Sequence, residues 1–472
     1  MTNPTSGFRP ALEIALAQAL TYLENLDTTP VSATVDLPGL RRRLSIPLAQ
    51  EGLPAEQVVA ELVRDTAGGH TGSAGGRFYA WVVGGSLPAA LAADWLTSAW
   101  DENCTLFAIA PACAVVEEVA GRWLKEVLGL PARASFAFVT GCQMAHTTCL
   151  AAARHGVLAR HGWDVEERGL CGAPPIRILS GDQRHGTIER SLRLLGLGRK
   201  CVLDLPVDRN GRLTETALRT ALEAAPGVPT MVLLQAGDLN IGAFDPFDTL
   251  IPLAHRHGAW VHVDGAIGLW AAASPRYSHL VRGVELADSW ATDGHKWLNV
   301  PYDSGYAFVA DADAHRAAMS HREPYLIHAA EARDAFDWTP EWSRRGRGYT
   351  TYAALRQLGR AGVAELVERC SRHARTLVRE IGALPGAEVL WEPVINQGLV
   401  RFPDPQSTAP EDHDRSTERV IAEVVRSGEA FFGATTWRGR RAMRVSVSNW
   451  QTSEADVERA VRAVSGVLGA RK

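Results

Sequence analysis

The sequence predicts an α/β protein, with a large domain on a mostly parallel sheet and a smaller C-terminal α/β domain. Three observations carry this. Short apolar runs at residues 136–139, 176–179, 231–234 and 259–263 each close in a turn, with helical spacing at 91–100, 112–128 and 147–156. Runs apolar on both faces belong to strands covered by helices on both sides, the setting of parallel sheets. Beyond residue 346 the pattern changes: strands at 388–390 and 399–402, a helix at 421–427, an alternating strand over 442–449 and a terminal helix at 452–468.

Residues 1–90 read as an arm. Leu12, Ala15, Leu16, Ala19, Leu20 and Leu23 have helical spacing, and a second helix is expected near 55–66. Between them lies the run Arg41-Arg42-Arg43, a solvated or interface patch. The segment holds too few apolar residues for its own core, so it is expected to lie on another subunit. The domains expected are therefore an arm over 1–90, a large domain over 91–345 and a small domain over 346–472.

With 46% hydrophobic and 22% charged residues among 472, the chain suits a globular enzyme with a sizeable core. A net charge of -4 gives no general electrostatic case for nucleic acid or an anionic membrane, and neither is expected as a partner. Residues 1–10 lack a basic start and an apolar run, and no long uncharged apolar span follows. Seven cysteines without CxxC spacing suit reduced thiols in a cytoplasmic protein and no metal site.

The chemistry concentrates between His262 and Gly305. The strand at 259–263 runs into Asp264, and open α/β sheets bind ligands beyond the carboxyl ends of their strands. After a second apolar step come Asp293-Gly294-His295-Lys296-Trp297. Taken singly, Asp264 is an ordinary turn residue and Lys296 an ordinary surface lysine. A lysine held in such a cleft loses its charge if desolvated or crowded by another cation, and the neutral amine forms Schiff bases. Acid and lysine together suit pyridoxal 5'-phosphate (PLP): the acid keeps the ring nitrogen protonated and the lysine holds the aldehyde.

The wording of this stretch, His262-Val263-Asp264-Gly265-Ala266, Ala287-Asp288-Ser289 and His295-Lys296-Trp297-Leu298, resembles the "HVDAA … ADS … HKWL" signature of the group II PLP-dependent amino acid decarboxylases. Ser180-Gly181-Asp182-Gln183-Arg184-His185 is similar to that family's "S-D-Q-A-H" motif, whose histidine stacks on the cofactor ring. The turn Thr140-Gly141-Cys142-Gln143-Met144-Ala145-His146 keeps Thr140, Gly141 and Ala145 of the family's "T-S-G-G-[ST]-E-A-N" phosphate turn. It departs at Cys142, Gln143, Met144 and His146. A strand-to-helix turn binds phosphate through backbone N–H groups, which do not depend on those side chains.

The resemblance implies a fold-type I enzyme, a homodimer with sites at the subunit interface, and α-decarboxylation of an L-amino acid. Lys296, Asp264 and His185 would be the catalytic residues. Gly141, Cys142, Gln143, Asn240, Asp293 and His295 would join them around the cofactor. For substrate, the resemblance points to Trp81 in an aromatic, glycine-rich segment and to Arg444, which could hold a carboxylate or make a structural ion pair. In relatives acting on aromatic substrates a loop tyrosine returns a proton to the reacting carbon. Here Ala335 or Phe336 falls at its place, within a segment expected to close over the site, and Tyr325 is the nearby tyrosine. An aldehyde-forming decarboxylating oxidase, or a carbon–carbon lyase or aldolase, fits the same scaffold. A non-catalytic binding protein of this fold would have no need of Lys296, Asp264 and His185 together.

Overall fold

The computed structural model describes residues 7–321 and 332–470. It divides into two compact units, Gly84–Arg375 with Trp391–Leu399, and Met1–Val83 with Thr376–Leu390 and Val400–Lys472. In this division the arm ends at Val83 and is grouped with C-terminal segments, and the border sought near residue 345 falls after Arg375.

The first of these units holds seven strands: β1 (Ser135–Val139), β2 (Arg177–Gly181), β3 (Val202–Leu205), β4 (Thr230–Gln235), β5 (Trp260–Asp264), β6 (Ser289–Asp293) and β7 (Gly305–Val309). Their order is β1-β7-β6-β5-β4-β2-β3. β7 runs antiparallel to β1 and β6, while β6, β5, β4, β2 and β3 pair in parallel. The four apolar runs read from the sequence are β1, β2, β4 and β5. β3, which the sequence pattern did not single out, is a short edge strand with Leu203 and Asp204 exposed.

Register brings the functional ends together. Gln235 of β4 pairs with Asp264 of β5, and Gly305 of β7 pairs with both Asp293 of β6 and Val139 of β1. Asp264, Asp293 and the turn after Val139 therefore share one edge of the sheet. Helix Cys142–Ala159 starts there and buries most of its length, from Cys142 through Ala145, Cys149 and Ala152 to Leu158, on the sheet. Trp260 packs against this helix, and a Cβ at Gly156 would come within 2.7 Å of its ring.

A buried, bidentate ion pair ties the neighbouring segments to this body. Arg344 reaches both carboxylate oxygens of Glu117, at 2.8 and 3.0 Å, and donates to the carbonyl oxygens of Cys104 and Phe138. Such a pair is costly to break, because removing one partner leaves the other charge buried and alone.

The other unit holds helices Phe8–Glu24, Leu37–Leu44 and Ala55–Thr66, with Arg41, Arg42 and Arg43 in the last turn of the second. Arg77 links the arm to C-terminal residues by donating to the carbonyl oxygens of Leu26, Thr29, Gly428 and Glu429. A four-stranded sheet uses β8 (Glu388–Trp391), β9 (Gln397–Arg401), β10 (Gly433–Trp437) and β11 (Arg440–Ser446) in the order β10-β11-β9-β8. β10 was not expected; β11 is the core of the alternating strand that was.

Gly305 approaches Gly141 closely at the site edge, where an added Cβ would collide with the backbone of Gly141 itself. Backbone cannot rotate aside as a side chain can, so Gly305→Ala should cost about 1–3 kcal/mol of stability and loosen cofactor binding. Urea unfolding and PLP titration measure the two, and unchanged values would mean that the edge has slack.

Candidate active site

Asp293, at the end of β6, is buried and holds three partners. Its Oδ1 accepts the Cys142 backbone N–H at 2.6 Å and faces His295 Nε2 at 3.3 Å, and its Oδ2 lies 3.0 Å from Lys296 Nζ. His295 Nδ1 accepts the Ser304 backbone N–H, so the ring hydrogen sits on Nε2, towards the carboxylate. Burial holds His295 below its ordinary value, against the pull of Asp293, and keeps it neutral near pH 7. Its ring stacks on Tyr302 with centroids 4.2 Å apart.

The expectation that desolvation discharges Lys296 is corrected here. Burial does push its pKa down, but Asp293 by charge and hydrogen bond, with Cys142 and Asp264, outweighs it and holds the amine above its ordinary value. In this state Lys296 is an ammonium, and it must shed a proton before its nitrogen can attack an aldehyde.

Asp264 ends β5. Its Oδ1 accepts the Ala266 N–H at 3.1 Å, and its Oδ2 lies 3.5 Å from His146 Nε2. Burial alone would raise its pKa; His146, the Ala266 N–H and His185 reverse that, leaving it well below the usual carboxylate range. His185 thus lies within electrostatic reach of Asp264. It caps helix Gly186–Leu194, its Nδ1 accepting the Thr187 N–H at 3.3 Å, and its ring is exposed. An exposed imidazole within electrostatic reach of that carboxylate suits the face of a ring.

Helix Cys142–Ala159 has Gly141 at its N-cap and no side chain capping it. The Cys142 N–H is taken by Asp293, while no side chain caps the amides of Gln143 and Met144 behind it. Asn240 sits in the turn after β4, which Asp238 builds by accepting the N–H groups of Asn240, Ile241 and Ala243. The turn role of Asn240 is therefore what the structure displays.

The donor set fits PLP: a primary amine, an ionised acid for the ring nitrogen, an imidazole for the ring face and an uncapped helix start for a phosphate. Cys142, His146 and Asp264 also offer three ligand atoms within 4.8 Å of one another. Burial holds the Cys142 thiol well above its ordinary value.

The unit thus brings together Lys296, Asp264, His185, Asp293, His295 and the turn from Gly141 to Gln143. Trp81 and Arg444 belong to the other unit. There Trp81 is exposed, packs on Phe78 and Phe431, and lies over Gly433, whose partner across β10 and β11 is Arg444. Arg444 is buried. Tyr325 lies outside the described residues. The segment expected to close over the site departs from that picture at its far end. Ala335 and Phe336 are buried, with Phe336 stacked on Trp342 and its N–H donated to the Thr105 carbonyl oxygen, so core packing holds them.

Sequence reasoning missed three residues. His146 and His262 meet at 2.9 Å behind Asp264, and Tyr302 stacks on His295. A signal for the first two existed: Cys142 and His146 stand four apart on a helix, and His262 and Asp264 two apart on a strand, so each pair shares a face.

The family model described as "Pyridoxal-dependent decarboxylase conserved domain" matches residues 38–403. An aromatic-L-amino-acid decarboxylase of Bacillus atrophaeus is 26% identical over 92% of this chain and 90% of its own length. A 4-hydroxyphenylacetaldehyde synthase of Rhodiola rosea is 26% identical over 94% and 91%. The crystal structure of Oryza sativa TDC with PLP and tryptamine superposes with a TM-score of 0.92 at 24% identity, covering 100% of this chain and 99% of that one.

His262 supplies an acid-sensitivity test. Burial pushes its pKa from 6.5 to about 3, so the folded protein refuses a proton that the unfolded chain accepts. Stability is full above about 6.5 and falls as pH drops towards 3, by about 1.4 kcal/mol per pH unit for one such site. His315, held near 3 as well, adds a second proton. His262→Asn should remove one proton from the pH slope of the urea unfolding free energy; a slope equal to wild type would contradict its buried neutral state.

Proposed function

The chain belongs to the pyridoxal-dependent decarboxylase family, and from that premise we propose that its substrate is an L-amino acid with a neutral aromatic side chain, released as the amine. It is a PLP-dependent lyase that removes the α-carboxylate of an amino acid. The observation supporting the finer reading is the company around Lys296. The charged groups acting on Lys296 and His295 include the carboxylates Asp293, Asp264 and Asp303, which repel an acidic side chain. Beside them the exposed ring of Tyr302, stacked on His295, offers an aromatic surface. The Bacillus relative, named for aromatic L-amino acids, agrees with this.

Bound here, PLP supplies an aldehyde for the amine and a protonated ring that accepts the electron pair left when carbon dioxide departs. Lys296 gives the nitrogen that holds the aldehyde once its proton is lost. Asp264, ionised, would hold the proton on the ring nitrogen. His185 would cover the ring face, and the amides of Gln143 and Met144 would take the phosphate. Tyr302, whose phenol lies within electrostatic reach of Lys296 and Asp293, is our candidate for returning a proton from its Oη to the carbon that lost carbon dioxide. Trp81 and Arg444 stay candidates for the substrate's side chain and carboxylate.

We further propose a cytoplasmic homodimer. Helix Phe8–Glu24 buries none of its residues within the chain, and Phe8, Leu12, Leu16 and Leu20 are 68, 57, 47 and 47% exposed, a stripe suited to a second copy. All seven cysteines are free thiols, which suits a reducing compartment. No described helix is long and apolar enough to cross a membrane.

Tryptophan, tyrosine and phenylalanine should release carbon dioxide at rates well above those of glutamate and aspartate; the reverse order would overturn the substrate reading. Lys296→Ala should abolish turnover and the borohydride-fixed cofactor while leaving the dimer intact, and PLP fixed on another lysine would defeat the assignment.

Tyr302→Phe should lower amine formation at least tenfold while carbon dioxide release falls less, with aldehyde, peroxide and oxygen uptake rising. Tyr325→Phe run beside it separates the two tyrosines. An unchanged amine yield in Tyr302→Phe with a loss in Tyr325→Phe would move the proton to the loop. Aldehyde from wild type would favour the reaction for which the Rhodiola relative is named.

A further inference from the structure

Behind Asp264, away from Lys296 and Asp293, lies a run of buried polar side chains that the decarboxylation chemistry does not call on. Trp260 Nε1 is 3.0 Å from Ser289 Oγ, Ser289 Oγ is 2.9 Å from His262 Nδ1, His262 Nε2 is 2.9 Å from His146 Nδ1, and His146 Nε2 is 3.5 Å from Asp264 Oδ2. His146, His262 and Ser289 are fully buried. The two imidazoles meet edge to face at 83°, a geometry that points one ring nitrogen at the other.

The two ends fix the direction of every hydrogen. An indole N–H only donates, so Ser289 Oγ accepts from Trp260 and turns its own hydrogen to His262 Nδ1. His262 then carries its hydrogen on Nε2 and donates to His146 Nδ1. His146 in turn carries its hydrogen on Nε2 and donates to the Asp264 carboxylate, which only accepts. The opposite direction leaves the lone pair of His146 facing a carboxylate and the Ser289 hydrogen with no acceptor in the run. Cys142 Sγ, 3.3 Å from the same His146 Nε2, shares that hydrogen as a weak acceptor.

We infer that His146 is a positioning residue for Asp264: with His262 it forms a one-way chain of hydrogen bonds that ends on Oδ2 and holds the carboxylate as an acceptor facing the ring nitrogen. This rests on the PLP reading of the site. The low pKa of His262, set by burial and then by His146, agrees with a neutral link in the chain. Each donor polarises the next, so the carboxylate at the end attracts a proton less strongly than one without such backing. With PLP bound, a proton between Asp264 and the ring would therefore favour the ring nitrogen, and the ring would draw electrons from the reacting carbon. His146 is also a position at which this chain departs from the family turn described above.

The test uses nitrogen NMR on the whole protein. In cofactor-free protein labelled with ¹⁵N-histidine, His146 and His262 should both appear at pH 7 as neutral rings with the hydrogen on Nε2. An imidazolium, or a hydrogen on Nδ1 of His146, overturns the chain without reference to the cofactor. In protein loaded with ring-¹⁵N PLP, the wild-type ring nitrogen should be protonated. His146→Phe should move its resonance towards the unprotonated pyridine position, as the proton passes to Asp264. His146→Asn, which keeps an amide donor for Oδ2 but cuts the link to His262, should restore most of the wild-type shift. His262→Phe should move it in the same direction as His146→Phe by less.

A merely structural histidine would lower occupancy and leave the resonance of the bound fraction in place, and that result overturns the inference. If His146→Phe does not fold, His262→Phe carries the comparison, and a wild-type resonance there has the same force. Failure of wild-type protein to take up PLP would sink the cofactor reading, leaving the histidine measurement to decide the chain.

Discussion

The site depends on the neutralisation of one buried carboxylate. Asp293 belongs to a strand, yet its three partners come from a helix start, the next turn and the lysine itself. A buried anion without partners is so costly that the fold has to supply them, and each partner is fixed in place by doing so. The same contact that aims Lys296 also anchors the N-terminus of helix Cys142–Ala159. The amine and the anion-binding amides are therefore registered to each other by one side chain at the end of one strand. The glycine pair at 141 and 305 lets the backbones close to that distance.

On the adjoining strand, Asp264 has a different environment. Asp293 binds the lysine directly, whereas Asp264 has an amide in front, the His146 imidazole behind, and His185 within electrostatic reach. Both acids are ionised, for different reasons. One is held by the lysine, which must give up its proton to react; the other is held by His146, the Ala266 N–H and His185. This division separates the group that must change from the group that must stay fixed.

Much of this was legible in the sequence because it is local. Apolar runs ending in small or acidic residues located β1, β2, β4 and β5, and the spacing of Asp264 and Lys296 put both at one edge. What sequence could not supply were relations between segments. That Asp293 would hold Lys296 charged, against the expectation from burial, follows from a distance of 3.0 Å. That His146 would meet His262 depends on the helix lying across β5, though the i, i+4 and i, i+2 spacings hinted at shared faces. The region around Phe336 misled for another reason. A family alignment labels a segment by what it does in relatives, while Phe336 and Ala335 here are apolar residues with a core to fill. β10 escaped notice because Gly433, Ala434 and two threonines carry little apolar signal.

Before it meets its cofactor, the chain carries its most reactive amine as an ammonium clamped to Asp293. An ammonium has no lone pair to offer, so reducing sugars and stray aldehydes meet an inert group. The carboxylates around it all favour the charged form, and a phosphate brought to the helix start would add to that pull rather than relieve it. Loss of the proton is therefore a step of its own, and until it happens the nucleophile is kept out of a carbonyl-rich medium.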